Sequence, residues 1–323
     1  MKRRIFYKGI LNHCYQRTED RGVLFYSYAD HLVYFTQYCI MARKYHIQVL
    51  SLCQMPDHVH DSVIAGRRQD LEKFKQDTNG WYALRWNEQG HLHGSVFEQS
   101  FGSAPKFDDK KVRTNLVYVG NNPVERRLVE KAEDYRWNYL AYATSDHPFS
   151  EKLVIRDARW PLQKAVREVA AQFKADKPLN FGQLRRFFDP LTREESLQLT
   201  DYIISTYNCI DYEAALRYFG SYENMLLTMH ATTGSEHDVK EDFVGKSDIP
   251  YLQMTGYLLD HHILGDIHDL LPMSTDEKYQ LFLLLRPVIN APAAQIAKFL
   301  HMPLKKAAKH RPTAGFVSSN GND

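Results

Sequence analysis

Two short apolar runs, 46–55 and 59–65, meet at the dipeptide Pro56-Asp57, and a β-hairpin is the simplest structure that satisfies this pattern. Proline presets φ for a tight turn and aspartate bonds its own backbone there, so the two runs read as antiparallel strands. Upstream, residues 5–16 are rich in β-branched and aromatic side chains and give way to the polar stretch 17–22, which predicts a strand and a loop. From 28 to 44, Leu32, Phe35, Tyr38, Cys39 and Ala42 recur at three-and-four spacing, one face of a helix with Asp30 at its cap or in its first turn. Downstream, 70–87 reads as a second helix interrupted near Asn79-Gly80, 94–107 as a strand, and a third helix starts after Asp108-Asp109.

The order strand, helix, strand, strand, helix, strand is the split βαβ pattern of ferredoxin-like folds, with one helix appended. The expected class is therefore α+β: a domain with an antiparallel sheet, followed by an all-α C-terminal region. After about residue 144 the strand signal fades, and 161–175, 191–207, 212–229 and 276–286 carry helical periodicity. At 323 residues the chain is long enough for two domains. The expected division is an α+β domain over 1–150, a helical region over 151–230, a polar Gly-containing linker over 231–246 and a helical module over 247–323 with a frayed tail from 311. Residues 293–310 resemble a helix-turn-helix, with Ile296, Ala297 and Leu300 inward and a basic second helix; a plain helical hairpin fits the same pattern.

Composition limits function only loosely. Lys plus Arg is 41 against 39 for Asp plus Glu, a formal +2, which does not mark a nucleic-acid binder. Residues 1–150 hold 21 basic and 17 acidic side chains, net +4, against 20 and 22, net −2, in the rest. Cys14, Cys39, Cys53 and Cys209 form no CxxC pair, so neither a zinc knuckle nor a disulfide framework is expected, and a reducing, cytoplasmic setting is the default. No uncharged apolar stretch approaches the roughly 20 residues that span a bilayer, so no membrane partner is expected.

The chemistry-bearing candidates begin with His58-Val59-His60. Side chains at i and i+2 of a strand share a face, so both imidazoles can reach one ion. Among 15 histidines such a pair arises readily by chance, and His91-Leu92-His93 has the same form. The group His261, His262, Asp266, His268 and Asp269 matches no metal-site spacing and reads as a polar helix face. Trp81, Tyr82 and Trp86 could stack on bases, but their spacing favours core packing.

A longer constellation separates the first histidine pair from the second. The block 53–60, Cys-Gln-Met-Pro-Asp-His-Val-His, resembles the Met-Pro-Asn-His-Val-His block of the HUH endonuclease superfamily, in particular the REP-associated tyrosine transposases. Residues 117–124, Val-Tyr-Val-Gly-Asn-Asn-Pro-Val, are similar to that family's Tyr-Ile-His-x-Asn-Pro-Val block, and 134–139 to its aspartate-tyrosine-proline-tryptophan segment. The resemblance spans about residues 5–143 and leaves the second half of the chain uncovered. It implies a divalent cation, Mg²⁺ or Mn²⁺, held by His58, His60 and Asn122. It implies Tyr118 as the nucleophile that cleaves and rejoins single-stranded, hairpin-containing DNA through a 5′-phosphotyrosine, with a homodimer left open. Spacing agrees: on a helix over 111–122, Tyr118 and Asn122 are i and i+4 on one face, and the helix is expected to end at the Asn122-Pro123 step. Taken singly, Tyr118 as a packing residue and Asn122 as a helix end are the plainer readings.

Arg17, Arg21, Lys106, Lys110, Lys111 and Arg113 flank the proposed site, where they can neutralise DNA phosphates or serve as ordinary solvated charges. Three departures bear on activity. Asp57 replaces the family's Asn and adds a negative charge near the proposed metal. Asp61 and Ser62 replace apolar residues, so either the strand ends at His60 or Asp61 has a polar role. Gly120 and Asn121, in place of His and its neighbour, are weak helix formers that could loosen the helix carrying Tyr118. A cleavage-deficient DNA-binding regulator and a zinc-holding structural protein are the alternatives.

Overall fold

The structure is a computed structural model that describes residues 6–98, 100–232 and 244–303. Its first part follows the element order expected from the sequence: β1 (Leu11–Arg17), α1 (Tyr28–Lys44), β2 (Gln48–Met55), β3 (His58–Ile64), α2 (Arg68–Gln89), β4 (Gly102–Lys106) and α3 (Asp109–Glu125). The four strands form one sheet in the order β2-β3-β1-β4, with every neighbouring pair antiparallel. This is the split βαβ arrangement of an α+β fold.

Local chemistry sets the element ends. The Ser27 hydroxyl accepts from the Asp30 amide at 3.3 Å and the Asp30 carboxylate accepts from the Ser27 amide at 2.9 Å, so Asp30 completes a capping box and Ser27 is the cap. Met55 pairs with His58, leaving Pro56 and Asp57 as a two-residue turn. α2 runs unbroken through Asn79-Gly80, against the expected interruption. One helical Gly costs about 1 kcal/mol relative to Ala, less than the burial of Leu71, Phe74, Tyr82 and Trp86 to either side returns. β4 is shorter than the expected 94–107, and Phe97 joins the sheet only through a bridge to Thr18.

α3 is capped by Asp108, which accepts from the Lys111 amide at 2.9 Å, and it continues through Pro123 to Glu125 rather than ending at Asn122. So close to the helix end, Pro123 forfeits a single i→i−4 bond, while the Arg126 amide still reaches the Asn122 carbonyl at 3.1 Å. Gly120 and Asn121 do not loosen this helix. A Cβ on Gly120 would lie 2.6 Å from the Met229 methyl, and the Asn121 amide nitrogen donates to the carbonyls of Met229 and Thr232 at 2.8 and 2.7 Å. Both residues serve the packing of α3 against α8 (Tyr222–Ala231).

The sheet has two differently furnished faces. Val59, Asp61 and Val63 face α1 and α2, where Asp61 accepts from the Tyr38 hydroxyl at 2.6 Å and is ion-paired with Lys75. β3 therefore does not end at His60, and Asp61 is a buried structural anion on the face opposite His58 and His60. Ser62, on their face, donates to Asn115 of α3 at 2.8 Å.

Among the described residues after α3 the regular elements are all helical, the longer ones being α4 (Trp160–Lys174), α5 (Phe181–Phe188), α6 (Arg193–Tyr207), α7 (Tyr212–Leu216), α8, α9 (Ile249–Asp260), α10 (Thr275–Leu285) and α11 (Ala293–Phe299). α5 and α6 pack on α1, and one buried hydrophobic cluster extends from Cys14 to Met302. Arg136 is ion-paired with Asp201 of α6, which also accepts from the Tyr142 hydroxyl at 2.6 Å. Most of the proposed linker, 233–243, lies outside the described residues, as does everything from 304 onward, which takes in the rest of the helix-turn-helix candidate and the tail from 311. Ile296, Ala297 and Leu300 are buried, and His301 closes the first helix with φ of +51°. No described helix is long and apolar enough to cross a membrane.

Candidate active site

The β2–β3 turn is fixed from outside the hairpin: the amides of Leu24 and Phe25 both donate to the Pro56 carbonyl, at 2.7 and 2.9 Å. β3 then presents His58 and His60 on one face, with ring centroids 4.7 Å apart and planes nearly perpendicular at 87°. On the neighbouring strand Tyr15 stands opposite His60 and Arg17 opposite His58. His13, two residues before Tyr15, completes the face: its Nε2 lies 3.0 Å from Nδ1 of His60. Nδ1 of His58 lies 2.5 Å from Oδ1 of Asp57.

α3 crosses this face. The Tyr118 ring meets His60 edge-on at 5.6 Å and His13 at 5.5 Å. Asn115, Tyr118 and Asn122 fall at i, i+3 and i+7 on α3, so the bond from Ser62 to Asn115 sets how far along the sheet Tyr118 lies. Asn122 follows one turn later. It is 1% exposed, and neither its amide oxygen nor its nitrogen makes a hydrogen bond among the described residues. Leaving a buried amide unsatisfied costs about 1–3 kcal/mol, a cost that an ordered water or a bound ion at Asn122 would relieve.

The two histidines are each engaged through Nδ1. Asp57 and His13 each engage Nδ1 of one histidine, the arrangement that orients a ligating imidazole through its other nitrogen, Nε2. Asn122 adds a neutral oxygen donor. Among the described residues no three His, Cys, Asp or Glu side chains form a group able to hold a metal. Burial pushes the Asp57 carboxyl up, but His58 and Lys298 outweigh it and hold the group ionised, far below the ordinary carboxylate range.

The site is closed in this conformation. His58, His60, Tyr118 and Asn122 are 6%, 1%, 4% and 1% exposed, too little for a phosphodiester to reach them without local opening.

The cations expected to meet DNA are spread out. Arg17 ends β1 with its guanidinium 5.4 Å from the Tyr15 ring. Arg21 is exposed and ion-paired with Glu98 at 3.7 Å. Lys110, Lys111 and Arg113 are exposed on the first turns of α3, roughly 8–12 Å along its axis from Tyr118, and Lys111 is paired with Asp108 at 3.6 Å. Lys106 is buried. His91 and His93 are exposed in the segment after α2. Tyr82 and Trp86 are core residues. The group 261–269 is not one helix face: His261 caps the end of α9, Asp266 caps a short 3-10 helix over Ile267–Leu270 that holds His268 and Asp269, and His268 is buried between Asp30 and Asp266 at 2.8 and 2.7 Å.

Sequence reading missed His13 and Lys298. The alternation of His13, Tyr15 and Arg17 was visible, but the register that sets it against His58 and His60 is tertiary information.

No family model matches the chain, and no curated protein matches it. Among solved structures, a REP-associated tyrosine transposase bound to a REP hairpin is similar over 42% of this chain and 80% of that one, at 14% identity and a TM-score of 0.37. A likeness that distant carries no argument about this chain.

Proposed function

We propose that the chain is a transposase-like enzyme that cleaves and rejoins single-stranded DNA through Tyr118. The observation that carries this reading is the meeting of the Tyr118 ring with the His13–His60 pair, one helical turn before a buried Asn122 whose amide makes no hydrogen bond among the described residues. His58, His60 and Asn122 would hold Mg²⁺ or Mn²⁺, an ion that suits mixed nitrogen and oxygen donors with open positions and, when bound, polarises a phosphate oxygen. The Tyr118 oxygen gives up its proton and forms a bond to phosphorus as the bond to the 3′-oxygen breaks. The 3′-oxygen leaves and takes up a proton, giving a 5′-phosphotyrosine and a free 3′-hydroxyl. Attack by another 3′-hydroxyl reverses the step and rejoins a strand without a nucleotide cofactor. Arg17, beside His58 in the sheet, and Lys110, Lys111 and Arg113 on α3 are the cations proposed to bind the DNA backbone.

Burial of the site favours one second reading, a DNA-binding regulator on the same scaffold that does not cleave. End-labelled single-stranded hairpins incubated with the full chain and Mn²⁺ separate the two. Cleavage that Tyr118→Phe abolishes supports the enzyme. Retained hairpin binding without cleavage supports the regulator.

A further inference from the structure

Asp57 serves two partners from different parts of the chain. Its Oδ1 contacts Nδ1 of His58 at 2.5 Å, and its Oδ2 is ion-paired with Nζ of Lys298 on α11. The pair joins residues 241 apart, and the two side chains are 16% and 12% exposed, so water does little to screen the contact.

A carboxylate behind a ligating imidazole fixes its tautomer and plane and raises the basicity of the opposite nitrogen. An ammonium on the second carboxylate oxygen works against this. It draws charge away from His58 and places a cation near the position of a bound dication.

α11 is held firmly against the turn. The Tyr26 hydroxyl donates to the Phe299 carbonyl at 2.7 Å, and the Gln295 side chain ties the start of α11 to the segment before α9 by donating to the Ser247 carbonyl at 2.6 Å. The same 24–26 segment supplies the two amides that bind the Pro56 carbonyl, so the turn and α11 are fastened to one strap. α11 thus delivers Lys298 to Asp57 as part of the fold.

The geometry points to Asp57 as a positioning residue for His58 whose hold is set by Lys298, making the docked C-terminal helix a determinant of divalent-cation affinity at His58, His60 and Asn122. The affinity part rests on the metal reading above. Asp57 organises the ligand, and Lys298 limits how strongly it does so.

The test uses the full chain and two readouts. In metal-free protein, ¹⁵N-histidine NMR reports the His58 Nδ1 proton, which moves downfield in Lys298→Met and stays near its wild-type position in Lys298→Arg. Calorimetric titration with MnCl₂ reports affinity. Asp57→Asn weakens binding roughly 10–100-fold. Lys298→Met tightens it roughly 3–10-fold. Most of that gain disappears when Lys298→Met is made in the Asp57→Asn background. An unmoved Nδ1 proton overturns the claim that Lys298 sets the hold of Asp57 on His58, unchanged Mn²⁺ affinity in Asp57→Asn overturns the positioning role of Asp57, and an equal Lys298→Met gain in both backgrounds overturns the route through Asp57. A moved proton in a wild-type chain that binds no Mn²⁺ overturns the metal reading and the affinity claim with it, while the Asp57–His58 contact stands.

Discussion

His13 and His60 lie 47 residues apart on adjacent strands, and Nε2 of one is 3.0 Å from Nδ1 of the other. One ring must donate and the other accept. If Nε2 of His60 is a metal donor, His60 carries its proton on Nδ1 and His13 accepts it. His13→Ala is therefore expected to weaken Mn²⁺ binding roughly 10–100-fold in a calorimetric titration. His13→Gln, whose amide oxygen can also accept, should recover much of the loss.

Lys75 and Asp61 form an ion pair on the other face of the sheet, with side chains 3% and 1% exposed. Lys75→Met leaves the carboxylate buried without its cation and should cost about 3–5 kcal/mol in urea unfolding. Replacing both partners, as Lys75→Met with Asp61→Asn, should recover a large part of that. A single variant that unfolds like wild type would show that the pair contributes little.

Two glycines within helices should respond in opposite ways. Gly80 of α2 has nothing within 4 Å of an added Cβ, so Gly80→Ala should stabilise by about 0.5–1 kcal/mol. Gly120 of α3 faces Met229, so Gly120→Leu should destabilise by about 1–3 kcal/mol through overpacking. Denaturant midpoints of the two variants check both signs.

The Asp30–His268–Asp266 cluster makes stability pH-dependent. Burial pushes His268 down, but Asp30 and Asp266 outweigh it and hold the imidazole up to about 10. A raised pKa stabilises fully below the unfolded value of about 6.5, and the contribution is lost as pH rises toward the folded value. The hydrogen bond from His268 leads the causes that hold Asp266 at about 2, so its contribution disappears as pH falls through that value. Urea unfolding at pH 6, 8 and 10 should show wild type losing its advantage over His268→Gln across this window.

The parts of the fold that depend on local chemistry were legible. The periodicity over 28–44 coincides with α1, and the Pro56-Asp57 dipeptide is the hairpin turn. Where sequence reading departed from the structure, tertiary packing had overruled a local preference. Buried aromatics carry α2 across Gly80, and α3 accommodates Pro123 at the cost of one bond. Residues 120–121 look like helix weaknesses, yet they are the surface on which α8 sits. Within the candidate site, the shared face of His58 and His60 follows from strand alternation. His13 and Lys298 do not, because the β1–β3 register and the position of α11 arise only when distant segments pack.

The most direct test of the central claim locates the bond itself. After incubation of the full chain with a single-stranded hairpin and Mn²⁺, nuclease trimming and peptide mass spectrometry would show which of the 20 tyrosines carries a nucleotide. The account predicts a 5′-phosphonucleotide on Tyr118 alone, absent when His58 and His60 are both replaced by Ala. Cleavage with no adduct on Tyr118, or an adduct on another tyrosine, would contradict it.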